Sequence, residues 1–302
     1  MTQWFERVGQ QRDWLWRGWQ IRYSVKRAAA TDVAATPIVL LHGFGAALEH
    51  WRHNLPTLAE GHTVYAVDLL GFGGSRKVKT TYSTRLWAEQ LYEWWRSLIG
   101  VPVILIGNSL GSLVCTVLAH SYPEMVSGLV LLNLPDVSLR QAAMPSWLAS
   151  GVYQLENALS GPWLIKPLLK LLRRPAVLRS WIKIAYPRSA AVTLELVELI
   201  SRPAYDEGSG DTLWALSRSL RRSGFSPAMT EVIAQLRIPI LLIWGERDRM
   251  VPFQLAQRFT NLNPQLTFIS MPQAGHCPHD EYPDEFHEIL LPWLDCFRTH
   301  TQ

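Results

Sequence analysis

The sequence predicts an α/β protein built on a mostly parallel, doubly wound sheet, with a helical insertion in its second half. Three observations predict it. Residues 38–41, 63–67, 103–106, 129–132 and 240–244 are short, continuously apolar runs, the pattern of parallel strands buried on both faces. Helix-patterned segments at 83–98 and 110–120 separate several of them, which is how a sheet with helices on both sides is written. Between Pro135 and about Arg237 the alternation stops and only helix-prone sequence remains. The expected division is therefore a core of residues 1–134 and 238–302 and a helical cap, or lid, of residues 135–237.

The elements can be justified in order. Residues 19–26 alternate Trp19, Ile21, Tyr23 and Val25 with Gln20, Arg22, Ser24 and Lys26. Period-two alternation marks a strand with one wet face, hence an edge position. Trp14 and Trp16 suggest a preceding hairpin strand, and the stretch 28–36 is turn-prone. The run at 38–41 leads into His42-Gly43-Phe44-Gly45, and the run at 63–67 into Asp68 and the glycine-rich Gly71-Phe72-Gly73-Gly74-Ser75. The second loop is no phosphate cradle, because it lacks the Lys-Ser/Thr pair that such a loop needs. Residues 266–270 supply one more strand candidate.

Composition narrows the class. The 302 residues are 48% apolar and 18% charged, a balance that builds a sizeable core and argues against disorder. A net charge of +4 is too mild to point to nucleic acid. Cys115, Cys277 and Cys296 are odd in number and fit neither a disulfide framework nor a zinc site. Cys115 reads as a small core residue, and a reducing compartment is the simplest setting. No stretch approaches the roughly 20 apolar residues of a membrane span. Glu6, Arg7, Arg12 and Asp13 near the start leave no apolar leader core. The expectation is a soluble or peripheral protein, cytoplasmic and not secreted, with no metal or organic cofactor.

Chemistry concentrates where the 103–106 run ends. Gly107, Ser109 and Gly111 form G-x-S-x-G between an apolar strand and an apolar helix, the setting of a nucleophile elbow. Ser109 then stands on a strained turn, with the Leu110 N–H at a helix N-terminus aimed at a developing oxyanion. A serine hydroxyl needs a base and an orienting acid. Asp248 follows the 240–244 strand, and His276 follows the 266–270 strand after Ala274-Gly275, both on loops at one edge of the sheet. His276 is the predicted base, with His279 the weaker candidate. Asp248 is the predicted acid; Asp136, after the 129–132 run, is the alternative. Glu246 reads as a loop residue. The Phe44 N–H supplies the second oxyanion donor, and its ring a wall of the substrate pocket. His42 suits a loop-tying hydrogen bond.

These residues resemble the α/β-hydrolase superfamily along essentially the whole chain. Within it, GNSLG at 107–111, DLLGFGGS at 68–75 and AGHCPHDEYP at 274–283 look like the pheophytinase and chlorophyll dephytylase group. GNSxG alone is less specific, since meta-cleavage product hydrolases share it. The resemblance implies hydrolysis of the phytyl ester of a chlorophyll or pheophytin at an internal, thylakoid-type membrane, with any magnesium belonging to the pigment. Ser112 departs from the pattern, which has a second glycine after the elbow. A serine at 109 argues against haloalkane dehalogenase and epoxide hydrolase chemistry, which need a carboxylate there. A general esterase, a C–C bond hydrolase and a non-catalytic pigment or lipid carrier are the rival readings.

The insertion adds a feature of its own. Between residues 140 and 188 stand Arg140, Lys166, Lys170, Arg173, Arg174, Arg179, Lys183 and Arg188 against a single acidic residue, Glu156. Trp147, Trp163 and Trp181 lie among them. Apolar faces beside Lys and Arg mark interfacial helices; the alternative is a cap packed on the core with its charges solvated.

Overall fold

The computed structural model describes residues 4–29, 35–137 and 162–297. Arg140, Trp147 and Glu156 lie outside the described residues. Eight strands form one sheet in the order β1-β2-β4-β3-β5-β6-β7-β8. They are Gln10–Trp16, Trp19–Lys26, Ile38–Leu41, Val64–Val67, Val103–Asn108, Val126–Leu132, Ile240–Gly245 and Leu266–Met271. The six strands from β3 onward are mutually parallel, and β2 joins β4 antiparallel.

One sequence expectation is corrected. The alternating strand β2 is not at the edge: β1 covers its outer side, with Trp16 paired to Trp19. The two-residue turn places Arg17 at φ 51° and Gly18 at φ 82°, the left-handed pair that matches hairpin twist. The alternation of β2 reflects its position over one core face, not a free edge. The parallel strands lie where their apolar runs predict, with one end shifted by one to three residues in all but β3.

Helices cover both faces. In β5 the alternation is explicit: Val103 and Leu105 enter one core, Ile104 and Ile106 the other. Helix α1, Thr84–Leu98, is capped by Ser83, whose hydroxyl accepts the Leu86 N–H at 3.1 Å. It buries Trp87, Leu91 and Trp94 in the first core beside Leu113, Val114 and Cys115 of α2, Leu110–Ser121. Phe286, Leu290 and Leu294 of the C-terminal helix Pro283–Leu294 fill the second with Trp51 and Leu55.

Between β6 and β7 the described elements are all helical. They include α3 (Pro162–Leu172), α4 (Pro175–Ala185), α5 (Leu194–Ser201), α6 (Ser209–Ser219) and α7 (Met229–Gln235). The last of these packs on α2 and sends Met229 and Ile233 into the first core. A satellite cluster of Ile182, Tyr186, Leu196 and Val197 includes Cys277 from the loop after β8, so helices α4 and α5 rest directly on that loop.

Chain direction across the sheet reverses between β3 and β5: from β3 the chain crosses to β4 on one side, then to β5 on the other. Ligand crevices in open parallel sheets form beyond the carboxyl ends at such a switch point. Leu41 pairs with Gly107 there.

Candidate active site

At the end of β5, Ser109 has φ 53° and ψ −111°, a conformation L-residues pay for. Two glycines let the turn close. A Cβ on Gly107 would lie 2.6 Å from the Ser112 nitrogen, and one on Gly111 2.8 Å from the Leu41 carbonyl carbon. The Ser109 N–H donates to Leu132 O at 2.9 Å. Ser112, the departure noted above, fits: its buried hydroxyl donates to Gly107 O at 2.6 Å and accepts the Leu132 N–H at 3.0 Å. The hydroxyl thus ties the elbow to β6.

The loop after β3 lies over the serine. A Cβ on Gly43 would sit 3.5 Å from Ser109 Cβ. The following turn is closed by the Ala46 N–H on Gly43 O at 3.3 Å, with Gly45 at φ 73°. Phe44 is 47% exposed and meets Phe72 edge to face at 5.4 Å. Leu110 opens α2, so its N–H has no carbonyl one turn behind it. His42 is wholly buried; its Nδ1–H donates to Gly43 O at 2.8 Å and its Nε2 accepts the Leu69 N–H at 3.2 Å. Burial pushes its pKa down to about 4, so it is a neutral loop tie. Asp68 accepts the Leu48 and Gly74 N–H groups at 2.7 and 2.6 Å. Gly73, at φ 48°, leaves no room for a Cβ against that carboxylate. That contact explains the glycine-rich loop.

His276 and Asp248 come together. Nδ1 of His276 lies 2.8 Å from Asp248 Oδ2, both residues being buried. Donation from Nδ1 leaves Nε2 as the proton acceptor. Asp248 Oδ1 accepts the Met250 and Val251 N–H groups at 2.7 and 2.9 Å. Asn108 Nδ2 holds His276 O at 2.9 Å, tying the histidine loop to the residue beside Ser109. Asp136 is buried in the loop after β6, but the carboxylate on His276 Nδ1 is that of Asp248. Glu246 accepts the Ser270 hydroxyl at the surface. His279 is a core residue, its ring 4.1 Å from that of Trp51, and burial holds its pKa well below the ordinary value.

Several residues that hold this loop escaped the sequence reading. The His276 N–H donates to Ala185 O, at the end of α4, at 2.9 Å. A Cβ on Gly275 would strike Pro187 and Ala185. Glu281 accepts the Gly275 N–H and the Arg188 N–H, each at 2.6 Å. Tyr186 donates to Asp280 at 2.7 Å, and Arg52 binds Asp280 and Glu195 at 2.7 and 2.6 Å. His50 Nε2 meets the Tyr186 hydroxyl at 2.6 Å. The acidic pair after His276 was the available signal, since buried carboxylates require cationic or N–H partners.

Beside Phe44 a mainly apolar cavity of about 90 Å³ opens between the loops after β3 and β4 and helices α3 and α6, bordered by Phe72, Leu169, Leu213 and Leu216. On the outer side of α3 and α4, Trp163 is 69% and Trp181 58% exposed, with Leu168, Leu171 and Ile184. Lys170, Arg174, Arg179 and Lys183 are exposed among them, and the sequence has no acidic residue from 162 to 194.

The sequence pattern of the alpha/beta hydrolase fold family matches residues 36–283. The chain belongs to that family. It resembles the pheophytinase group within it: it is 26% identical to a chloroplast pheophytinase of Arabidopsis thaliana over 91% of its own length. It spans 64% of that relative. It is 24% identical to the 2-hydroxy-6-oxo-6-(2'-aminophenyl)hexa-2,4-dienoic acid hydrolase of Metapseudomonas resinovorans, over 85% of this chain and 83% of that one. A bacterial membrane phospholipase A has the same fold, with a TM-score of 0.75 and 22% identity over 96% of this chain and 87% of its own. Among the described residues, no helix of this hydrolase-fold chain is long and apolar enough to cross a membrane.

Proposed function

We propose that the protein is a serine carboxylic-ester hydrolase for a hydrophobic ester, with the phytyl ester of a chlorophyll-type pigment as substrate. The observation that carries the reading is Ser109 on its strained elbow beside a loop whose His276 is hydrogen-bonded to Asp248. Ser109 Oγ attacks the ester carbonyl as His276 Nε2 takes its proton. The Phe44 and Leu110 N–H groups hold the oxyanion. Asp248 stabilises the imidazolium, which protonates the departing alcohol. Water, losing its proton to His276, then splits the acyl-serine and releases the acid. No step calls for a metal or cofactor.

The pigment reading draws on the pheophytinase resemblance and on the apolar cavity at Phe44, whose volume of about 90 Å³ suits the first few carbons of an alkyl chain. Incubation with chlorophyll a and pheophytin a, followed by chromatography, tests it: dephytylated product is expected. Turnover of short-chain esters alone would favour the esterase or C–C hydrolase reading, for which the Metapseudomonas relative speaks. A folded chain that a fluorophosphonate fails to label at Ser109 would leave only the carrier.

In this reading residues 135–237 act as the cap, and the basic, apolar outer side of α3 and α4 rests on an anionic, thylakoid-type membrane. Each basic residue near such a surface contributes about 1 kcal/mol. Co-sedimentation with phosphatidylglycerol vesicles at low salt is the expected result; no binding there removes the membrane from the reading.

A further inference from the structure

We infer that Asn133 is a positioning residue that fixes the Asp248 carboxylate for His276, an inference that rests on the serine-hydrolase reading. Asn133 follows β6 directly, has no exposed surface, and holds φ at 48°. With Arg17 and Ser109 it is one of three non-glycine residues at positive φ among the described residues. Arg17 serves the hairpin turn and Ser109 the elbow. Asparagine tolerates this conformation better than most residues, but glycine takes it at no steric cost. The side chain is therefore where a reason for asparagine should be sought.

That side chain is fully engaged at the candidate site. Nδ2 donates to Asp248 Oδ2 at 2.5 Å and to Gly275 O at 3.3 Å, while Oδ1 accepts the Gly245 N–H at 3.4 Å. Both partners of the nitrogen are acceptors and the partner of the oxygen is a donor, so only this orientation of the amide satisfies all three. One amide thus touches the strand end that carries Asp248, the carboxylate itself, and the residue before His276.

The donors on Asp248 show what the contact does. Oδ1 accepts Met250 and Val251, and Oδ2 accepts Asn133 and His276. The carboxylate has four lone-pair sites, and each meets one donor from a different direction. Without Asn133 a buried lone pair on Oδ2 is unpaired, and the carboxylate can turn away from Nδ1 to reduce that cost. His276 then loses the partner that fixes its tautomer. Asn133 acts through Asp248 and need not touch substrate.

Asn133→Gly removes the amide while easing the backbone, so lost folding and lost positioning separate. The rate of Ser109 labelling by a fluorophosphonate should fall about 10- to 100-fold, as a small misplacement of catalytic groups does. The kcat for p-nitrophenyl butyrate should fall with it while KM stays. In an Asp248→Asn background the same change should alter labelling less than about twofold, since coupled residues are not additive. An unchanged rate in the single variant, or equal losses in both backgrounds, overturns the inference. Asn133→Ser is read in the same way if the glycine variant is insoluble. Proton NMR separates this from a failure of the hydrolase reading. The downfield Nδ1–H resonance of His276 should weaken or move upfield in Asn133→Gly whether or not the protein turns over esters. An unmoved resonance overturns the positioning role, whereas a wild-type protein that resists labelling overturns the reading on which it rests.

Discussion

The loops beyond β5 to β8 and the outer faces of α3 and α4 solve opposite problems. At the loops, buried polar atoms face one another, and Asp248 alone accepts four bonds. On the helices, Trp163, Trp181 and Ile184 stand in solvent among exposed cations. A misplaced buried charge is expensive, so the loops admit one arrangement. Exposed apolar groups at a cationic surface suit many arrangements, so the helices constrain what is approached and leave its bonding open. The first region fixes where its polar atoms lie; the second fixes only the kind of surface it presents. They meet at Ala185–Arg188, where the end of α4 grips the His276 loop.

The sharpest loss is expected at Ser109, the proposed nucleophile. Ser109→Ala should lower kcat/KM for an activated ester by about 10⁵-fold or more, while the fold persists. Residual turnover near the wild-type rate in steady-state assays would move the chemistry elsewhere.

A smaller effect is expected in the pH dependence of stability. Burial lowers the pKa of His42 from 6.5 to about 4. Between those values the unfolded chain binds a proton that the folded chain refuses, so this contribution is whole above pH 6.5 and lost as pH falls toward 4. Its full size is about 3 kcal/mol. Urea melts of His42→Gln from pH 7 to 4 should show a shallower decline than wild type. Parallel curves would mean that His42 titrates normally.

The seam between the regions comes next. Tyr186→Phe deletes the hydroxyl shared by His50 and Asp280, and should cost about 1–3 kcal/mol in urea unfolding. Because Tyr186 sits on the cap side, the fluorophosphonate rate should fall too. Unchanged reactivity with lowered stability would confine the seam to folding.

The smallest effect concerns delivery. Phe44→Ala opens the cavity wall and keeps the backbone N–H. It should change the preference between octanoyl and acetyl esters about tenfold, the scale of apolar pocket discrimination, with little change for acetyl esters. Equal effects on both would remove the ring from chain binding.

Much of the sheet was legible because strands buried on both faces must be apolar throughout, and the runs at 38–41 and 240–244 have no other economical reading. The elbow was legible because Gly107 and Gly111 record backbone contacts too close for a Cβ. Loop order favours Asp248 over Asp136 as the proposed acid, and it is Asp248 that lies on His276 Nδ1. Asn133, Glu281 and the Arg52–Asp280–Tyr186 cluster could not be read. Apart from the Gly275 N–H on Glu281, their partners lie 93 to 228 residues away, and a local pattern carries no record of a bond that distant. The place of β2 was misread for a related reason, since alternation reports which side is wet and says nothing about what pairs along the strand.

At Gly275 the Ala185 carbonyl and the Pro187 ring press on core backbone that carries no side chain of its own, and the His276 N–H is bonded to Ala185 O across that contact. A rotation of α3 and α4 that kept these contacts would have its axle here. Such a movement would leave the bond that holds the His276 N–H in place.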